Sequence, residues 1–387
     1  MREEHTQIAI VGAGPAGLSI ASALAARSLE VMMLTPAAPA PWVPNYGLWR
    51  DEIAHDAELE RAIARSWASP HVWTRDASPR VLDREYVLLD NPRTQNILRD
   101  RLLRHGGHVI EGLATSLAHT TRESILTVSR GDERFRIIAD LVIDATGHAP
   151  RFVTRAGRDT PGVQIAHGLH ATLSKESAPL EQMRLMDFRP AGAGARVARA
   201  PTFLYAMPLD DTGHEIFVEE TSLVARPAMR EEECERRLHA RLEREGLILE
   251  KIHAREHCAI PMGHALPDLT QRVVGFGGAA SMVHPATGYQ ISRALGWARG
   301  VASAIALAHG ERGERGESLA RAAWESIWTP ERRRRRRLYM YGLTVLVELD
   351  QAGVEDFFEA FFAREERLWR GYLAGTLAVR ERAGLMW

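Results

Sequence analysis

The glycine pattern near the start of the chain is the feature that most restricts its fold. In "QIAIVGAGPAGLSIASALAARSLEVMMLT", from residue 7, an apolar strand runs into G-x-G-x-x-G, an alanine-rich helix and a second strand. The glycines of such a βαβ unit permit a tight turn and let a pyrophosphate approach the helix N-terminus. The pattern therefore predicts dinucleotide binding. The predicted residues of the turn are Gly12, Gly14, Pro15, Ala16 and Gly17.

The end of the second strand departs from the usual pattern. An acidic residue normally stands there and binds a ribose hydroxyl. This chain has Thr35 at that position, which can hydrogen-bond but carries no charge. We expect Thr35 to contact the cofactor, with other groups adding to the binding.

A second glycine-containing strand end favours FAD over NAD. The stretch "ADLVIDATGHAP", residues 139–150, is a buried strand followed by Asp144 and Gly147. In flavoproteins that bind FAD through this fold, such a strand returns to the nucleotide domain, and its glycine lets the backbone pass the cofactor. We expect both residues at the FAD site.

A third segment, residues 272–306, again runs from a strand through glycines into a helix. Gly277 and Gly278 would let the backbone approach a ligand. The following turn opens a helix whose N-terminus could face a flavin ring, with His284 at the edge of that site or serving only as a structural residue. The further residues predicted to contact the cofactor are Met282, Pro285, Thr287 and Gly288.

Two adjacent carboxylates in an apolar strand mark the candidate reaction centre. In "FVEETSLVARP", residues 217–227, Glu219 and Glu220 must point to opposite faces, because side chains alternate along a strand. A buried carboxylate is costly unless it is paired, neutral or catalytic. The alternatives are an ion pair, for example with Arg226, and a carboxylic acid whose pKa is raised by an apolar pocket and by a nearby second carboxylate.

The pattern along the chain indicates an α/β fold with an inserted antiparallel sheet and a helical C-terminus. Aromatic residues of the loop "PWVPNYGLWRDEI" (Trp42, Tyr46 and Trp49) could line an apolar or cationic ligand, or simply pack at the surface. The predicted domains are FAD binding at 1–155 and 271–315, with part of 50–100 on the substrate side; substrate binding at 156–270; and a helical region at 316–387.

The composition of the chain argues against several classes of function. The net charge is −1, so no basic field indicates nucleic acid. Cys234 and Cys258 fit neither a metal spacing nor a disulfide framework, and we expect no metal and a reducing cytosol. No apolar run reaches transmembrane length. The six arginines Arg332–Arg337 are typical of a solvated helix face or of contact with anionic lipid.

Together these motifs resemble the flavin-dependent lycopene cyclases of the plant and cyanobacterial type, over nearly the whole chain. "PNYGLW", "FVEET" and "MVHPATGY" carry the resemblance most specifically. The others are "VGAGPAGLSIA", "FLYAMPL", "IPMGHALP", "WTPERRRRRR" and "FFEAFFAREERLWRGYL".

The resemblance implies a fold like that of aromatic hydroxylases and geranylgeranyl reductases. It implies FAD, active when reduced by NADPH or NADH, and a linear carotenoid with ψ end groups as substrate. It also implies that Glu219 is the acid, with Tyr205 of "FLYAMPL" among the substrate-lining residues. A polyene substrate resides in lipid, so the resemblance implies a cytoplasmic protein with peripheral contact to the cytoplasmic membrane face.

Two further departures from the family concern binding. The family often has an arginine where Gln95 stands, which bears on FAD affinity, and a tyrosine where His167 stands in "QIAHG", which bears on the substrate. Three alternatives stay open at this stage: a cyclase of another polyene or terpenoid, a redox flavoenzyme (a monooxygenase or a polyprenyl reductase), and a flavin- or carotenoid-binding protein without turnover. The ring type is open as well.

Overall fold

A computed structural model of the protein describes residues 1–37, 40–74, 78–156, 160–190 and 200–377. Residues 378–387, predicted to belong to the helical C-terminal region, lie outside the described residues. The described strands are β1 (Arg2–Val11), β2 (Val31–Thr35), β3 (Gly47–Trp49), β4 (Ile63–Trp67), β5 (His71–Trp73), β6 (Arg80–Val81), β7 (Tyr86–Leu89), β8 (His108–Glu111), β9 (Leu113–His119), β10 (Ser124–Arg130), β11 (Glu133–Asp144), β12 (Gly162–Leu173), β13 (Arg184–Asp187), β14 (Thr202–Pro208), β15 (Glu215–Ser222), β16 (Leu249–Met262) and β17 (Val274–Gly275).

Helices follow or cover these strands. The described helices are α1 (Pro15–Ala25), α2 (Ala57–Glu60), α3 (Asn91–Arg104), α4 (Glu231–Arg244), α5 (Ile291–Gly310), α6 (Gly316–Ile327), α7 (Pro330–Glu348), α8 (Gln351–Phe362) and α9 (Glu366–Ala374). None of the helices in the described ranges is both long enough and apolar enough to span a membrane.

The first sheet has the order β8-β2-β1-β11-β10-β9, with β17 paired to β11. Strands β8, β2, β1, β11 and β17 run parallel, and this arrangement brings their carboxyl ends to one edge. Buried apolar residues fill the strands, and the small residues of α1 let it pack closely against α5. The sheet therefore assembles the three glycine segments, because each one follows a parallel strand.

The second sheet has the order β16-β12-β15-β14-β13-β5-β6 and is antiparallel except for the β13–β5 pair. Strands β12–β16 lie within residues 156–270, and β5 and β6, residues 71–81, extend the same sheet. A third, smaller sheet, β3-β7-β4, is formed by strands within residues 47–89. The use of the second sheet for substrate binding stays a prediction.

Both faces of the second sheet are covered. Leu204, Val218 and Leu169 point to one face and pack with Leu238 of α4. Phe203 and Phe217 point to the other face, which is covered by aromatic side chains of α8 and α9. Phe358, Phe361, Phe362, Trp369 and Tyr372 of the C-terminal helices are thus buried as part of the core.

Candidate functional site

The first part of the site is the turn between β1 and α1. Gly12 has φ +110°, and a Cβ there would lie 2.6 Å from the carbonyl oxygen of Ala145. A Cβ on Gly17 would lie 1.9 Å from the carbonyl oxygen of Gly12. A Cβ on Gly14 would instead meet open space, in front of the first turn of α1. The turn therefore leaves free room at a helix N-terminus, which suits a pyrophosphate.

The other two glycine segments close on the same place. Gly147 has φ +97° and open space on the Cβ side, and a Cβ on Gly278 would lie 2.8 Å from the carbonyl carbon of Gly147. A Cβ on Gly277 would lie 2.4 Å from the Cβ of Ala16. Three separate segments thus meet at glycines, and close contacts leave no room for a Cβ at Gly12, Gly277 and Gly278. The resulting cradle suits the FAD that the sequence predicts.

Asp144 stabilises the backbone of one of the three glycine segments. Its buried carboxylate accepts hydrogen bonds from the backbone N–H of Thr146 (3.0 Å), Phe152 (2.7 Å) and Val153 (3.2 Å). The carboxylate therefore fixes the loop that contains Gly147, and a contribution of Asp144 to cofactor binding stays a prediction.

Thr35 and Gln95 are both buried beside the loop after β2. The Thr35 hydroxyl donates to the carbonyl oxygen of Ala37 at 2.9 Å, and Gln95 Nε2 donates to that of Ala40 at 3.0 Å. Both side chains thus stabilise this loop, and their direct contact with a cofactor stays a prediction.

The turn before α5 contacts the face of the second sheet that points away from α4. A Cβ on Gly288, with φ +74°, would lie 2.7 Å from Gln164 Oε1 of β12. Met282 is fully buried and its sulfur accepts from the Gly277 N–H at 3.0 Å, while Thr287 Oγ1 accepts from the Tyr289 N–H at 3.3 Å. Pro285 is buried in the same turn. These residues link the glycine cradle to the second sheet, and their contacts with FAD stay a prediction.

Glu219 lies on the face of β15 that points away from α4. The register pairs it with Tyr205 of β14 on one side and with Gly168 of β12 on the other. The Glu219 side chain keeps some accessible surface. Surrounding protein nevertheless shields it strongly enough to raise its pKa to about 8. A carboxyl group that is partly accessible and also strongly shielded lies in a recess of the protein surface.

A second carboxylate, Glu256 of β16, faces the same recess across Gly168. The register pairs Gly168 with both glutamates, and the missing side chain leaves the space between them open. Burial is the main cause of the raised pKa of Glu219, and the charge of Glu256 raises it further. The sequence analysis missed Glu256, because only the pairing of β12 with both neighbouring strands brings it to Glu219.

The two carboxyl groups have different hydrogen-bond donors. Glu256 Oε2 accepts from the backbone N–H of Asn45 (3.0 Å) and from its Nδ2 (2.8 Å), and Oε1 accepts from Cys258 Sγ (3.2 Å). Among the described residues, Glu219 accepts from the Thr221 hydroxyl, at 2.5 Å. Burial raises the pKa of Glu256 as well, but its larger number of donors opposes this shift, so Glu256 loses its proton first and Glu219 keeps its proton at neutral pH.

Tyrosines form the rest of the recess. The hydroxyl of Tyr86 lies 3.4 Å from those of Tyr205 and Tyr289, and Tyr205 and Tyr289 retain accessible surface. A Cβ on Gly47 would lie within 2.6 Å of the hydroxyls of Tyr86 and Tyr205. Burial raises the pKa of Tyr289 to about 12, so its hydroxyl stays neutral.

The predicted loop aromatics divide into two groups. Tyr46 is partly exposed and follows Asn45, which binds Glu256. Burial, with Cys258 and Glu256 nearby, raises the pKa of Tyr46 to about 12, and Trp42 meets it edge-on with ring centres 6.1 Å apart. Trp49 is fully buried, with the Arg84 guanidinium 4.6 Å from its ring centre. We correct the prediction for Trp49, which packs in the core.

Glu220 requires a correction. It points to the opposite face of β15, where its Oε2 accepts from Arg241 Nε of α4 at 2.5 Å, and both side chains are fully buried. The alternation along the strand separates it from Glu219. Glu220 is therefore a structural ion-pair partner, and the carboxylate that assists Glu219 is Glu256. The partner of Glu220 is Arg241, where the sequence offered Arg226.

His167 also lies on the face away from Glu219, because it precedes Gly168 on β12. Its ring is buried beneath the first turns of α4, near Glu231 and Glu235. The prediction that His167 lines the substrate pocket is therefore wrong in this structure. His284 is fully buried against the rings of Tyr339 and Tyr372, and its role at the substrate stays a prediction.

A separate open cavity of about 880 Å³ lies between α5 and α9. Its lining includes Glu52, Arg84, Arg293 and Arg370, and Glu219 is not part of it. Burial raises the pKa of Glu52 to about 7, although Arg84 and Ser292 oppose this shift. This cavity does not contain the Glu219–Glu256 pair.

Sequence comparison gives the family. The model of the family described as "Lycopene cyclase protein" matches residues 7–387. The chain belongs to the lycopene cyclase family. A lycopene beta cyclase from an Oncidium hybrid cultivar is 39% identical over 97% of this chain and 79% of its own length. The lycopene beta cyclase of Synechococcus elongatus is 36% identical over 96% of this chain and 90% of its own length.

Solved structures confirm the fold class. A geranylgeranyl bacteriochlorophyll reductase-like protein from Thermoplasma acidophilum superimposes with a TM-score of 0.77, at 14% identity, over 99% of this chain and 96% of that one. This lycopene cyclase family member therefore has the mixed α/β fold of FAD-binding flavoproteins, as the sequence predicted.

Proposed function

We propose that this protein is a lycopene beta-cyclase, which closes the ψ ends of a linear carotenoid into β-ionone rings without net oxidation or reduction. The observation that carries the proposal is the carboxyl pair Glu219–Glu256 in a recess lined by tyrosines. Membership of the lycopene cyclase family supports the choice of substrate.

The first step is proton transfer from Glu219 to the terminal double bond of the ψ end. An isolated alkene is a weak base, so the acid must be protonated at neutral pH, shielded from water and aimed at one carbon. Glu219 meets the first two requirements, because its pKa is about 8 and it lies in a recess. The new C–H bond leaves a tertiary cation, which the neighbouring double bond attacks to close the ring.

The aromatic rings of the recess stabilise the cation without reacting with it. Tyr205 and Tyr289 present rings at the accessible surface of the recess, and each cation–π contact is worth about 0.5–2 kcal/mol. Loss of a ring proton then gives the β-ionone double bond. The carboxylate pair accepts that proton, so the protein ends with the same number of protons with which it began.

FAD is the proposed cofactor, held by Gly12–Gly17, Gly147 and Gly277–Gly278. In its reduced form, with NADPH or NADH as the reductant, bound FAD would supply negative charge that stabilises a cationic substrate. The protein's own contribution to this charge is Glu256, which the Asn45 donors keep anionic beside the protonated acid.

Contact with a membrane surface would give access to the apolar substrate. Within the arginine run, Arg332 and Arg335 bind backbone carbonyls of the protein itself. Arg334, Arg337 and Tyr341 are exposed along one face of α7 and could contact anionic headgroups. Cytoplasmic location stays a prediction.

The experiment that tests the function is expression in bacteria that accumulate lycopene, followed by chromatography and mass spectrometry of the pigments. We expect cyclic products of unchanged mass, whose absorption spectrum identifies the β rings. Glu219→Gln should retain FAD and leave lycopene unconverted. Glu215→Gln is the matched control, because Glu215 lies on the same strand with its side chain about half exposed.

Two results would contradict the proposal. Unconverted lycopene with a folded, FAD-loaded wild-type protein would mean that the substrate is wrong. A product whose mass differs from that of lycopene, with NAD(P)H consumed in proportion, would favour the redox flavoenzyme instead.

A further inference from the structure

A buried histidine on the face opposite the carboxyl pair has no hydrogen-bond partner among the described residues. The side chain of His167 is 1% exposed, and neither ring nitrogen forms a hydrogen bond within the described part of the chain. A buried imidazole without partners is costly, since one nitrogen must donate and the other must accept. The proposed cyclase reaction does not use this residue, so another role must account for its position.

Three elements bring further metal-binding side chains to His167. The register pairs it directly with His257 of β16, and the ring centres lie 4.8 Å apart. The first turns of α4 place Glu231 Oε1 3.9 Å from His167 Nδ1 and Glu235 Oε1 4.0 Å from Nε2. One ligand atom from each of His167, Glu231 and His257 falls within 4.8 Å of the others.

We propose that His167, His257 and Glu231 form a binding site for a divalent transition-metal ion, with zinc as the best-suited ion. Two imidazoles and a carboxylate form a ligand set that zinc takes in proteins, with bonds of about 2.0–2.2 Å. Ligand atoms around such an ion lie about 3.3 Å apart, so side chains must move by about 1 Å. Glu231 and His257 are about half exposed, and His257 Nδ1 already forms an ion pair with Glu231 Oε1, so two exposed side chains that lie together can move to admit the ion.

Glu235 completes the arrangement. The two nitrogens of His167 face different glutamates, so when one nitrogen binds the ion the other can donate to the remaining carboxylate. A second carboxylate behind a metal-bound histidine is a common arrangement, since it fixes the tautomer and the ring orientation. The ion would offset the like charges of Glu231 and Glu235 and tie the start of α4 to β12 and β16.

The sequence could not predict this site, because its ligands come from β12, α4 and β16. The bound ion would also stabilise the helix that carries Arg241, the partner of Glu220. This role is structural and does not depend on the cyclase reaction.

The test is zinc binding by the tag-free protein after removal of metal with a chelator. We expect isothermal titration with zinc chloride to show one ion per chain, and the unfolding temperature to rise with zinc concentration. Glu231→Gln and His257→Asn, both at exposed positions, should each weaken binding about ten- to a hundredfold. His239→Asn, on the exposed face of the same helix, should leave the affinity unchanged.

Cobalt provides a second readout that does not depend on activity. Wild-type protein loaded with Co²⁺ should show the visible absorption of a four-coordinate site, and Glu231→Gln should lose it. The proposal is overturned if wild type takes up no zinc in a saturable way, or if the two variants bind it as tightly as wild type. FAD content and circular dichroism would establish that each variant is folded.

Discussion

Replacing the acid Glu219 by glutamine should make the protein more stable at alkaline pH. The pKa of Glu219 is raised from 4.5 to about 8 in the folded protein. Between these values the folded state keeps a proton that the unfolded state has lost, so wild-type stability falls as the pH rises. Each pKa unit corresponds to about 1.4 kcal/mol, which gives a total of at most about 5 kcal/mol.

Glu219→Gln cannot ionise and should not show this loss. We expect its free energy of unfolding, relative to wild type, to increase by more than about 2 kcal/mol between about pH 5 and pH 8.5. Urea unfolding followed by circular dichroism, with constant excess FAD, measures this difference. The pH dependence is the relevant quantity, since a constant difference would report only altered packing.

Glu215→Gln is the control, because this half-exposed carboxyl group lies on the same strand, pairs with His170 and is not part of the Glu219–Glu256 pair, so the variant should keep the wild-type loss of stability at alkaline pH. Parallel stability curves for Glu219→Gln and wild type would refute the reasoning. They would mean that Glu219 is ionised at neutral pH and cannot be the acid that the proposed mechanism needs.

Three other substitutions test separate parts of the site. Glu256→Gln removes the charge that raises the pKa of Glu219, so the alkaline limb of the pH–rate profile for cyclisation should shift to lower pH; an unshifted limb would exclude the coupling. Arg241→Met leaves Glu220 buried without its partner and should cost about 3–5 kcal/mol in urea unfolding, with a loss below about 1 kcal/mol arguing against the pair. Gly278→Ala would place a Cβ 2.8 Å from backbone, so the purified protein should contain less FAD, and full FAD content would contradict the proposed cradle.

The sequence predicted the FAD-binding half of the fold well, because its signals are local. A strand, three glycines and a helix lie within a short stretch of chain; Gly12 has a positive φ, and Gly17 packs against the backbone of Gly12. The alternation of β15 likewise showed that Glu219 and Glu220 must point to different faces.

The rest of the site depends on pairing between distant strands. Glu256 reaches Glu219 only because β12 lies between β15 and β16 with Gly168 at the shared register position. The family resemblance suggested that His167 lies near the substrate, and the sequence of β12 does not reveal that it lies on the opposite face. Both faces of β12 are buried, so hydrophobic alternation does not show which face contacts the substrate.

Cyclisation of lycopene in heavy water tests the central claim most directly. Purified protein with FAD and NADPH would convert lycopene in D₂O, and the mass of the product would be measured. If Glu219 delivers a solvent-exchangeable proton to the terminal double bond, the product should carry one deuterium for each ring formed, and Glu219→Gln should form no product. A cyclic product without deuterium, or with deuterium at an equal rate in Glu219→Gln, would contradict the account.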